Sequence, residues 1–113
     1  MNIKRKLVGD VMVLQVSGNL MVDEHGDLRD EVRKLLDEGH VDILLSLRHT
    51  KWINSQGVGS IVAAYSSLKK NAGRFKVCSV PDRVWSVFVI SRLNEILEVY
   101  DTEAEALKSF KNG

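Results

Sequence analysis

Cysteine is almost absent from this chain. Cys78 stands alone among 113 residues, so no internal disulfide can form and the fold must rest on its core. A lone thiol is compatible with a reducing cytosol. Long apolar runs are missing too. None reaches the roughly 18 residues a spanning helix needs, and no basic-then-apolar leader opens the sequence. The expectation is a soluble, cytoplasmic protein with no membrane insertion. Charge of one sign is also lacking: the net charge is +1, which gives no global field for nucleic acid or an anionic membrane. The short basic start Lys4-Arg5-Lys6 reads as a solvated strand end. There is no Gly-x-x-x-x-Gly-Lys-Ser/Thr loop and no Gly-x-Gly-x-x-Gly after a strand, so no nucleotide cofactor is expected. His25, His40 and His49 fall in three separate segments, which with Cys78 in a strand gives no metal-ligand spacing. They are expected as solvated loop residues. No base neighbours Ser55 in sequence, so no catalytic residue is assigned and the chain is not expected to be an enzyme.

What the chain does have is a hydrophobic fraction of 44%, enough for one ordinary core in a single domain over residues 1–113. Residues 2–8 are weakly strand-like, Gly9-Asp10 makes a turn, and Val11 to Val16 reads as a strand paired with the first in a hairpin. Gly18 is expected to end that strand. A loop from Asn19 to Gly26 leads to Leu28, Val32, Leu35 and Leu36, a helical stripe. Asp23, Glu24 and Asp27 near its start and Arg33 and Lys34 further along suit the helix dipole, and Gly39 is a fitting stop. Val41 to Leu47 is a continuous apolar run, a strand covered on both faces. Val58, Ile61, Val62, Tyr65 and Leu68 give the next helix its apolar face, from about Gln56 to Lys70, with Lys69 and Lys70 complementing its dipole. Phe75 to Val80 is a strand, and Pro81 fits the first turn of a helix faced by Val84, Val87 and Phe88. Leu93 to Tyr100 carries a turn and a last strand. Asp101 or Thr102 caps a final helix packed by Ala104, Leu107 and Phe110. The order ββαβαβαβα predicts a layered α/β domain: a mixed sheet of about five strands with about four helices.

The chain is organised around Trp52-Ile53-Asn54-Ser55-Gln56-Gly57-Val58-Gly59, the loop from the buried strand into the second helix. Ser55 or Asn54 would be the N-cap, since a short polar side chain accepts from an orphan backbone N–H. Gly57 and Gly59 in the first turn each cost roughly 0.5–1 kcal/mol against alanine. Something must therefore come close to the backbone there, either a neighbouring loop or a partner. Ser55 at a helix N-terminus is placed either to cap or to carry a phosphate. Trp52 and Trp85 are expected to pack at the core periphery, with Trp52 also a contact candidate.

The central strand, the Asn54-to-Gly59 turn and the order of elements resemble the STAS family, the anti-sigma factor antagonists and their relatives, from about residue 3 to 110. The family signature Asp-Ser-Ser/Thr-Gly-Leu-Gly is matched at Ser55, Gly57 and Gly59. Gly73-Arg74-Phe75-Lys76-Val77-Cys78 is similar to the family's glycine-led fourth strand, and Ser79-Val80-Pro81 through Leu93 to its following helix. Two departures stand out. Asn54 replaces the aspartate of the turn. After Gly18, the Glu/Asp-Leu/Ile-Asp pattern has lost its acids to Asn19 and Met21. The resemblance implies a regulatory protein-binding module in a bacterial partner-switching pathway. Its partner would be a kinase-type anti-sigma factor that phosphorylates Ser55 and so weakens binding. The contact residues it implies are Met21, Trp52, Asn54, Ser55, Gln56, Gly57, Val58 and Gly59. Two relatives leave other roles open: a small subunit of an ABC-type lipid transporter, whose turn contacts an ATPase without phosphorylation, or a signalling scaffold.

Overall fold

Gly9 and Asp10 turn the chain back on itself, and β1 (Asn2–Val8) pairs antiparallel with β2 (Val11–Leu20) along its whole length. The computed structural model describes residues 1–21 and 27–111; Asp23, Glu24, His25 and Gly26 lie outside them. β2 runs on past Gly18, which was expected to end it. The Asp27 side chain caps α1 (Leu28–Asp37) by accepting from the Asp30 N–H at 2.9 Å. Gly39, with φ +91°, follows the helix as its expected stop. Then come β3 (Asp42–Ile53), α2 (Ser55–Lys70), β4 (Arg74–Cys78), α3 (Asp82–Ile90), α4 (Leu93–Ile96), β5 (Glu98–Tyr100) and α5 (Glu103–Lys111).

Three local expectations shift. The segment read as a turn at Leu93 closes one more short helix, α4, so the order is ββαβαβααβα. Pro81 precedes α3 instead of entering its first turn: its ψ of 153° is extended while its carbonyl accepts the first helical bond, from Trp85 N–H at 2.8 Å. Of the two candidate caps for α5, Thr102 acts, its hydroxyl accepting from Glu105 N–H at 3.1 Å.

The five strands lie in the order β1-β2-β3-β4-β5, with only β1 antiparallel to its neighbour. Because β2 to β5 step across the sheet in one direction, right-handed crossovers bring the connecting helices to one face. Met12, Leu14, Ile43, Leu45 and Val77 meet Val32, Leu35, Ile61, Leu68 and Phe88 there in the larger core. On the other face, Val11, Val13, Leu44 and Cys78 are covered by Ala106 and Phe110 of α5. This alternation is why Ile43, Leu44 and Leu45 read as one continuous apolar run. Val41, counted in that run, is instead 39% exposed just before the strand begins.

Ion pairs brace the outside of the hairpin and the start of the parallel strands. Arg5 bridges Glu31 at 2.6 Å and Glu38 at 2.8 Å, tying β1 to α1. Arg74 grips Asp42 through two nitrogens, at 2.9 and 3.0 Å, and donates to the Phe110 carbonyl. These carboxylate partners hold both guanidinium groups above their ordinary range. Lys76 is buried, pairs with Glu98 at 3.1 Å and donates to the Ser109 hydroxyl.

Candidate functional site

β4 leaves the sheet at Cys78, opposite Ser46, but β3 continues from Leu47 to Ile53 with β2 as its only paired strand among the described residues. The sequence expectation had stopped this strand at Leu47. Two register shifts against β2 explain the difference, one between Gln15 and Ser17 and one between Gly18 and Asn19. Each breaks the two-residue alternation by which a strand is recognised. At the first shift Val16 loses its place in the ladder, and the buried Thr50 hydroxyl donates to its carbonyl at 2.8 Å. The overhang keeps Leu47, Thr50 and Ile53 buried while Arg48, His49, Lys51 and Trp52 face outward. His49 is therefore a strand residue, not a loop one; His40 is half-buried between α1 and β3.

The overhang delivers the chain into α2. Asn54 is the N-cap: its backbone is extended and its side chain accepts from Gly57 N–H at 2.8 Å, while its carbonyl accepts from Val58 N–H at 3.0 Å. Ser55 is thereby the first helical residue, with Gln56 next, and both are exposed. Their own N–H groups have no protein acceptor among the described residues. No acidic residue occupies the first turn of α2, whereas Lys69 and Lys70 occupy its last, so the helix's own first turn adds no negative charge to the positive end of the dipole at Ser55.

The two glycines differ. Gly57 is buried, and a β-carbon there would collide with the Leu20 carbonyl oxygen and lie 2.9 Å from Ile53 Cγ1. Its bareness serves packing of β2 against α2, not approach by a partner. A β-carbon on the exposed Gly59 would meet nothing within 4 Å. Val58 is half-buried. Val62, expected on the inner face, is 38% exposed, and Ser60 and Ala64 fill the inner positions instead.

Asn19 lies opposite Trp52 and Leu20 opposite Ile53, which carries the half-buried Met21 to the rim of the same turn. Trp52 is 48% exposed and so does not pack at the core periphery as expected; Trp85, at 38%, stacks on Phe88 with ring centroids 6.1 Å apart. Asn19 and Asn54 bring no carboxylate to this rim at the two positions where the family signature has an acid. Cys78 is a buried core thiol: burial pushes it up, against the lowering effect of Ser79 and Ser46. Among the described residues no group of three or more His, Cys, Asp and Glu could hold a metal. Sequence reasoning passed over Arg48, Lys51 and Arg83, which line a cleft with His49 beside the overhang. The one available signal was the polar run Arg48-His49-Thr50-Lys51 directly after a buried strand.

The family model for the STAS domain matches residues 2–106. This chain belongs to the STAS domain family. An anti-sigma F factor antagonist of Paenibacillus polymyxa is 32% identical over 102 residues, covering 86% of this chain and 84% of the relative. A candidate anti-sigma factor antagonist of Thermotoga neapolitana is 33% identical over 104 residues, covering 91% and 92%. A crystal structure of a candidate anti-sigma factor antagonist from Thermotoga maritima superposes with a TM-score of 0.82 at 26% identity, covering 95% of this chain and 92% of that one. This STAS domain has the family's mixed five-stranded sheet, with the Ser55 turn at the C-terminal end of the central strand. No helix among its described residues is long and apolar enough to cross a membrane.

Proposed function

We propose that this STAS domain is an anti-sigma factor antagonist, a regulatory module that acts by binding a protein partner in a bacterial partner-switching pathway. The two relatives named above support the class of function. The finer reading is that the partner is a kinase-type anti-sigma factor which phosphorylates Ser55. On this reading the domain works in the cytosol, uses no cofactor and catalyses nothing itself. One observation carries it: the exposed Ser55 at the first position of α2, beside two backbone amides that have no protein acceptor among the described residues. A phosphate there would bring about −1.5 to −2 charges to the positive end of the dipole. The fold would tolerate that charge while the docking surface changed sign. Met21, Trp52, Asn54, Gln56, Val58 and Gly59 surround Ser55 as the contact surface, and Gly57 supports it from below.

Asn54 favours a second reading. It caps α2 without bringing the carboxylate that the family places before its serine, so the domain would be a plain binding module, as in a transporter subunit or scaffold, with Ser55 never modified. One experiment separates the two. Wild type, Ser55→Ala and Asn54→Asp proteins are incubated with the cognate kinase and ATP, and intact mass is recorded. The switch reading expects one phosphate on wild type, none on Ser55→Ala and more on Asn54→Asp. It further expects Ser55→Asp to fold but bind the kinase weakly, because an unpaired carboxylate in a desolvated contact is costly. Firm kinase binding with no mass gain in either wild type or Asn54→Asp would leave only the plain module.

A further inference from the structure

We propose that the step where β4 ends and β3 runs on is a docking groove for an acidic, extended segment of the partner protein. The inference rests on the protein-binding reading above and names the chemistry of what is bound. Beyond the Ser46–Cys78 pair, β3 has no neighbouring strand on that side as far as Ile53 among the described residues. The resulting cleft is lined by Arg48, His49 and Lys51 from β3, by Ser17 and Gly18 from β2, and by Arg83 beyond Pro81. Among the described residues no carboxylate lines it; Asp82 lines a separate depression with Val80 and Trp85, and Arg48 and His49 border a neighbouring cleft in which Asp101 and Glu103 lie. Arg48, Lys51 and Arg83 make no ion pair among the described residues, so no carboxylate there offsets their charge. Three cations without an ion pair among the described residues, gathered around a strand edge with no paired strand on a chain of net charge +1, are a local concentration of positive charge and not a share of a general one.

The nature of the occupant follows from exposure and shape. All four cationic or imidazole side chains are exposed, so they form no dry pocket that would strip and hold a small anion. A protein segment brings its own surface to exclude water, and carboxylates along it would match the cleft's potential. An extended segment suits an unpaired strand edge, where main-chain groups await partners. β3 itself runs on from the cleft to Trp52 and the Ser55 turn, so one partner can span both. The neutral Asn19 and Asn54 at that rim would not repel acids on such a partner.

The full chain is titrated against a fluorescein-labelled peptide of alternating glutamate and threonine, read by anisotropy. A peptide of alternating lysine and threonine and a single-stranded RNA of equal length serve as comparisons. The glutamate peptide is expected to bind, to weaken as salt is raised, and to lose roughly tenfold or more in affinity in Arg48→Glu/Lys51→Glu. Arg83→Glu, on a different element, is expected to weaken it severalfold, and circular dichroism checks that each variant is folded. Absence of binding to wild type, equal binding by wild type and both variants, or tighter binding of the RNA would overturn the proposal. No kinase enters this assay. Peptide binding without Ser55 phosphorylation removes only the switch, and phosphorylation without peptide binding removes only the groove.

Discussion

The two halves of β3 are built to opposite ends. From Asp42 to Ser46 the strand lies between β2 and β4, buried on both faces by Ile43, Leu44 and Leu45, with Arg74 clamped on Asp42 at its start. From Leu47 to Ile53 it keeps one neighbour, shifts register twice and turns Arg48, His49, Lys51 and Trp52 outward. One continuous strand therefore carries a rigid root and an open tip. Burial at the root holds the tip in place, and the tip can vary its exposed residues without disturbing the core. Contact chemistry in this domain is read best where the strand stops being well paired.

The comparison breaks first at the root. Leu45→Ala removes a fully buried side chain and should cost roughly 2–5 kcal/mol, seen as a lower urea midpoint. Gly57→Ala tests whether the tip is seated by close packing. The added methyl group collides with the Leu20 carbonyl and should destabilise by about 1–3 kcal/mol; unchanged thermal unfolding would mean that β2 and α2 part easily. Gly59→Ala sharpens the contrast in the other direction. Its helix position has open space, so stability should rise by about 0.5–1 kcal/mol. A matching fall in partner affinity, measured by calorimetry, would show that bare backbone is needed at that point. Trp52→Ala should move stability by no more than about 0.5 kcal/mol while weakening partner binding, since the ring is half in solvent and free to serve a contact.

The root was legible in the sequence and the tip was not. Apolar runs and helical stripes mark Ile43 to Leu45, Val32, Leu35 and Ile61 because burial on a regular element imposes a period. Ser55 and Asn54 were legible as a helix start because capping has its own residue chemistry, although only the backbone geometry decides that Asn54 is the cap. The extension of β2 to Leu20 and of β3 to Ile53 was hidden, because a bulge adds a residue and resets the period. Trp52 was misjudged for a related reason: its size argues for packing unless the strand is known to have run beyond its cover. The cleft needed Arg83, which comes from α3, a separate element that only the fold brings beside Arg48 and Lys51.

The parallel order of the sheet has a consequence in time. Only β1 and β2 are joined by a tight turn, so only they can find their register from local contacts. Every later strand must wait for a crossover to be threaded back across the sheet: α1 before β3 meets β2, α2 before β4 meets β3. Closing such loops is entropically uphill until the strands touch, and sheets of this kind fold more slowly than hairpin-built ones. The root of the strand that presents the contact surface is thus secured on its second side only after the chain has passed through the segment that carries Ser55. An immature chain would show the partner neither a seated Trp52 nor an ordered start to α2, so recognition itself would report that folding is complete.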